Sequence, residues 1–140
     1  MSYLLDTCVL SELVKPAPDA SVLTWMGQRD ESELFVSSIT LGELQRGVAR
    51  LPESRRRKEL AEWLRKIEAA FDGRVLGFER NTAPVWAAMM AEAEGKGKPV
   101  AAFDSIIAAT ALEHRMTLVS RNVRDFASSG VKLLNPWTIE

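Results

Sequence analysis

The sequence is poorest in the two residue types that most often carry nucleophilic or zinc chemistry. It has one cysteine, Cys8, and one histidine, His114. A single thiol excludes an intrachain disulfide and any cysteine-rich metal site, and it fits a reducing compartment. A Cys8–His114 nucleophile pair lacks an identifiable third group to orient it. Long apolar runs are missing too: none approaches the roughly 20 residues that cross a bilayer. The opening stretch Met1 to Asp6 has no basic segment leading into an apolar one, so no secretory leader is expected. Charge of one sign is not in excess. Net charge is −1, so binding to nucleic acid would have to rest on a local site. Internal repeats, low-complexity tracts and linker-like stretches are also lacking, and one domain spanning 1–140 is expected.

What is present reads as an ordinary globular chain, 46% hydrophobic and 26% charged. Short apolar runs alternate with helical periodicity. Tyr3–Leu5, Leu34–Ser37, Val75–Phe78, Thr117–Val119 and Val131–Leu134 read as strands. Helical segments are expected after Asp6, after Asp19, over Thr40–Arg50, Glu53–Ala70, Asn81–Glu94 and Ser105–His114, with a short one over Arg121–Phe126. In Glu53–Ala70, Leu60, Leu64 and Ile67 recur at steps of four and three. This alternation predicts an α/β three-layer sandwich: a mostly parallel sheet of four to five short strands with helices on both faces.

One residue stands out. Asp104 interrupts the most apolar stretch, "KPVAAFDSIIAATALEHR", and a buried carboxylate needs a capping role, a partner or a metal. Three other acids occupy comparable places. Asp6 follows the first strand, Glu43 lies one turn into the helix after the second, and Asp125 lies just past the strand Thr117–Val119. In a parallel sheet these strand ends share one edge, where α/β proteins bind ligands. Each acid has an ordinary structural use as well. Asp6 and Asp104 suit helix N-caps, Thr40 and Glu43 match a capping box, and Asn122 suits a cap with Asp125 favoured by the helix dipole. Together, four carboxylates would repel one another by roughly 4 kcal/mol per pair at 4 Å and an effective dielectric near 20. Such a cluster either protonates or holds a cation, and an oxygen-only set suits Mg²⁺ or Mn²⁺ rather than Zn²⁺.

The segments "LLDTCVLSEL", "SSITLGELQRGV", "FDSIIAATALEH" and "LVSRNVRDF", in this order, resemble the PIN-domain ribonucleases, and among them the VapC-like and FitB-like toxins of toxin–antitoxin pairs. The resemblance runs over essentially the whole chain. It implies metal-binding acids at Asp6, Glu43, Asp104 and Asp125, with Thr7, Ser120 and Asn122 as polar positions supporting the site. It further implies a cytoplasmic Mg²⁺- or Mn²⁺-dependent endoribonuclease that cuts RNA and is inhibited by a cognate antitoxin. It implies too that the pair binds its own operator DNA, through the antitoxin complex. In the expected mechanism Asp6, Glu43 and Asp104 hold the principal ion and Asp125 helps hold a second. Activated water then attacks phosphorus in line, leaving a 3′-hydroxyl and a 5′-phosphate.

Other functions fit the residues less well. A phosphoaspartyl enzyme using Asp6 wants a second acid where Cys8 stands. A catalytically silent binding module acting with an antitoxin on operator DNA would not require the complete acidic set. Arg121 and Arg124 flank the expected site and suit phosphates, whereas Arg55–Lys58 is diluted by Glu53, Glu59 and Glu62 and reads as a solvated face. Val85, Trp86 and Met89 suit a homodimer contact, and the Glu53–Ala70 helix suits an antitoxin groove. Cys8 is expected as a small buried hydrophobe, and His114 at a helix end beside terminal carbonyls.

Overall fold

In the computed structural model, which describes residues 1–139, five parallel strands form one sheet in the order β3-β2-β1-β4-β5. The strands are β1 (Tyr3–Leu5), β2 (Leu34–Ser37), β3 (Val75–Leu76), β4 (Thr117–Val119) and β5 (Leu133–Leu134). The helices are α1 (Thr7–Leu13), α2 (Ala20–Gly27), α3 (Ser38–Ala49), α4 (Arg55–Ala70), α5 (Thr82–Gly95), α6 (Ala102–Glu113) and α7 (Val123–Phe126). The expected α/β three-layer architecture is the one observed. Residue 140 lies outside the described residues.

Alternation along the central strand sorts the layers. Tyr3 and Leu5 of β1 pack with Val9, Leu10, Val22, Trp25, Leu44 and Leu64, which come from α1 to α4. Leu4, facing the other way, packs with Met89 of α5, Ile107, Ala108 and Ala111 of α6, and Phe126 of α7. Both faces of β1 are therefore covered, which is why its three residues are all apolar and fully or almost fully buried. Burying each such leucine contributes about 1.5–3 kcal/mol.

Several boundaries differ from the sequence expectation, for local reasons. α3 starts at Ser38 because the Ser37 hydroxyl accepts from the Ile39 N–H at 3.2 Å; the Thr40–Glu43 capping box does not form. α4 starts at Arg55, capped by Ser54 through the Arg57 N–H. α6 starts at Ala102 rather than Ser105, with Ala101 at its cap position and no side-chain cap bond. Asp104 is thus not an N-cap but the third residue of the helix. α7 begins at Val123, and Asn122, at its cap position, makes no side-chain cap bond. Strands β3 and β5 are each cut to two residues. One element lacked a clear apolar signal: the 3₁₀ turn Glu31–Glu33, held by a capping box between Asp30 and Glu33.

The apolar residues of α4 are turned inward. Leu64 is buried, and Trp63 and Ile67 are half-buried against the core. On α5, Met89 is buried and Trp86 donates its indole N–H to the Ser105 hydroxyl at 2.9 Å.

Candidate active site

The parallel sheet places the carboxyl ends of β1, β2 and β4 on one edge. The chain leaves these strands through Asp6, Ser37 and Ser120 in turn. α6 runs antiparallel to the strands, since it precedes β4, so its first turn returns to the same edge carrying Asp104. Thr7 and Glu43, on the first turns of α1 and on α3, face one another across that edge: the Thr7 hydroxyl donates to Glu43 Oε1 at 2.9 Å. The Thr40 hydroxyl, fully buried, lies 3.3 Å from Thr7 Oγ1.

Asp6 is the most enclosed of the four acids, only 5% exposed. One oxygen, Oδ1, accepts from the Thr7 N–H at 2.9 Å and so caps α1. The other, Oδ2, accepts from the buried Ser120 hydroxyl at 2.7 Å and from the Cys8 thiol at 3.6 Å. Ser120 Oγ in turn accepts the Asn122 N–H at 2.9 Å. Asn122 therefore steadies the site through its backbone, and no hydrogen bond from its side chain is present among the described residues.

Cys8, expected as a small buried hydrophobe, is partly buried against the core and also touches the site. Its sulfur contacts Asp6, lies 3.6 Å from Ser120 Oγ and accepts the Arg121 N–H at 3.5 Å. Burial pushes its thiol pKa up, and the Asp6 carboxylate adds to that, so it is poorly suited to act as a thiolate. His114 closes α6, with Nε2 3.5 Å from Glu113 Oε1.

Asp104 reports the electrostatics of the edge. Its carboxyl is pushed up to about 6, first by burial, then by the negative charges of Asp6, Asp125 and Glu43. Three acids distant in sequence thus lie near enough to Asp104 to act on its charge. Among the described residues, no three of the Asp, Glu, His and Cys side chains draw together into a ready-made cage.

The two arginines expected beside the acids divide. Arg121 stacks over the Trp137 ring, 5.3 Å from its centre. Arg124 lines a cleft of about 550 Å³ together with Asp104, Asp125 and Lys98. Lys98 was missed in sequence because it lies in a Gly- and Lys-rich loop that reads as a flexible connector. A separate apolar groove, lined by Phe78, Trp86, Met90, Val100 and Ile106 among others, contains none of the acids.

Compared with known families, residues 3–130 match the PIN domain. The chain belongs to the PIN family. Toxin FitB of Neisseria gonorrhoeae is 37% identical to it over 135 residues, covering 96% of this chain and 97% of that one. The VapC ribonuclease Y4jK of Sinorhizobium fredii is 37% identical over 134 residues, covering 95% and 96%. Among solved structures, FitAB bound to an IR36 DNA fragment superposes on this PIN domain with a TM-score of 0.94 at 36% identity, covering 99% of this chain and 97% of that one. No described helix of this PIN-family chain is long and apolar enough to cross a membrane.

Proposed function

We propose that this PIN-family chain is a metal-dependent endoribonuclease toxin held in check by a cognate antitoxin. It would act in the cytoplasm as one domain over 1–140, as a homodimer, and reach operator DNA only through the antitoxin complex. The observation that carries this reading is the arrangement at the strand ends: the Thr7 N–H and the Ser120 hydroxyl hold the two oxygens of Asp6, the Thr7 hydroxyl holds Glu43, and Asp104 and Asp125 line one cleft. A set of oxygen ligands in mutual repulsion is relieved by a hard divalent cation, Mg²⁺ or Mn²⁺. The relatives lend support: one is named a ribonuclease, another a toxin, and the FitAB assembly was solved on DNA. The complete acidic set favours cleavage over a silent binding module.

In this reading Asp6, Glu43 and Asp104 hold the principal ion and Asp125 helps hold a second. When bound, the metal supplies activation of water and neutralisation of charge on the phosphate. The chain's own residues do the positioning. Ser120 fixes one oxygen of Asp6, and the Thr7 N–H fixes the other. The Thr7 hydroxyl fixes Glu43. Asp104, in the first turn of α6, lies where the helix N-terminus favours its ionised form against the other acids. Arg124 and Lys98, on the cleft wall, offset the acids' repulsion of an approaching polyanion.

The test is cleavage of labelled RNA by the purified chain in Mg²⁺, in excess chelator, and after Asp6→Asn or Asp104→Asn. Cleavage leaving 5′-phosphate ends, abolished by the chelator and by each substitution, is expected. Near-normal cleavage by both variants, with a mock purification inactive, would overturn the assignment.

A further inference from the structure

We propose that Phe103 is a base-stacking residue for an unpaired RNA strand, with Lys98 and Arg124 holding its phosphates. The inference rests on the ribonuclease reading above and adds how the substrate is gripped. α6 is almost wholly buried beyond its first turn, yet Phe103, the residue immediately before Asp104, is 47% exposed. It belongs to neither core cluster. Among the described residues its ring has no aromatic partner; the ring pairs are Tyr3–Trp25 and Phe78–Trp86. A bare aromatic face on the turn that carries Asp104 is an uncovered apolar surface next to the proposed site.

The cleft lined by the next residue, Asp104, supplies the complementary charge. Lys98 and Arg124 line it with Asp104 and Asp125, and among the described residues neither cation stands in an ion pair. The backbone at Lys98 is held in place despite its loop setting. Gly97, at φ +70°, lets the chain turn back so that the Lys98 N–H bonds the Ala93 carbonyl at 3.0 Å. The Lys98 carbonyl accepts from the Ser128 hydroxyl at 2.7 Å, fastening this loop to the segment just after α7 and Arg124. Two exposed cations in a cleft that begins one residue from an exposed ring suit a single strand: phosphates are neutralised while a base stacks without regard to its identity. A base within a duplex has both faces covered, so the ring discriminates for unpaired substrate.

The experiment measures binding of the intact chain to a fluorescein-labelled uridine 12-mer by anisotropy, with Ca²⁺ replacing Mg²⁺. A blunt RNA duplex of equal length runs in parallel, and a gel checks that the strands stay whole. Phe103→Ala should weaken binding of the single strand roughly tenfold, the weight of one stacked base. It should leave the duplex affinity unchanged, and Phe103→Trp should restore single-strand binding. Lys98→Ala and Arg124→Ala should each lower the slope of log affinity against log salt by about 0.7. Single-strand binding by Phe103→Ala equal to that of the unaltered chain overturns the inference. If that variant instead changes the oligomeric mass or the grip of a co-expressed antitoxin, the ring is a protein contact and the inference also fails. Failure of the unaltered chain to bind or cut any RNA would count against the ribonuclease reading itself, a separate outcome.

Discussion

The Ser120 hydroxyl donates to Asp6 Oδ2 at 2.7 Å, joining two buried side chains 114 positions apart in sequence. This bond ties the end of β4 to the end of β1. It leaves Asp6 with one oxygen committed to Ser120 and the other to the first turn of α1. Ser120→Ala leaves that carboxylate oxygen without its shortest donor. Loss of about 1–3 kcal/mol of folding stability is expected from chemical denaturation. RNA cleavage should fall about 10–100-fold, with a higher Mg²⁺ requirement. Unchanged Mg²⁺ dependence would separate Ser120 from the metal site.

Thr7 plays the matching part for Glu43. Thr7→Val keeps the shape but removes the hydroxyl that donates at 2.9 Å. Cleavage should drop about tenfold, while Thr7→Ser, which keeps the donor, should retain most of it. Equal loss in both variants would point to packing rather than to the hydrogen bond.

Asp104 gives a pH signature in the metal-free chain. Its pKa is raised from 3.8 to about 6 in the fold, so ionisation disfavours the folded state. The cost is absent below the unfolded value, grows as pH rises through the interval and is complete above about 6. In chelator at pH 8, Asp104→Asn should therefore melt at a higher temperature than the unaltered chain. The gap should close on acidification towards pH 4. Melting curves by scanning fluorimetry test this; identical curves at both pH values would contradict it.

If Asp104 holds the ion as proposed, the same carboxyl governs activity in the opposite sense, because a cation needs it ionised. Cleavage at limiting Mg²⁺ should rise with pH through about 6. The midpoint should move to lower pH as Mg²⁺ increases, since ion and proton compete for one group. A midpoint independent of Mg²⁺ would remove Asp104 from the ion's ligands.

The sheet was legible in the sequence because short apolar runs alternate with helical periodicity, and a parallel sheet sends the strand ends near Asp6 and Ser120 to one edge. Tyr3 and Leu5 facing one layer and Leu4 the other is the direct reading of a period of two. Helix starts were less legible. Ser37, Thr40 and Glu43 all carry capping chemistry, and only packing decides that Ser37 caps while Glu43 is left free to meet Thr7. The start of α6 was hidden because Ala101–Phe103 reads as a core run, although these three residues are exposed. Cys8 looked like filler. Its contact with Asp6 and Ser120 depends on β4 lying beside β1, which one residue's type cannot reveal.

The most direct test of the central claim is calorimetric titration of Mn²⁺ into the chain at pH 7.5, beside Asp6→Asn and Asp104→Asn. Saturable binding by the unaltered chain, weakened at least tenfold or lost in each variant, is the predicted result. Equal affinity in all three proteins would show that these carboxylates do not hold the ion.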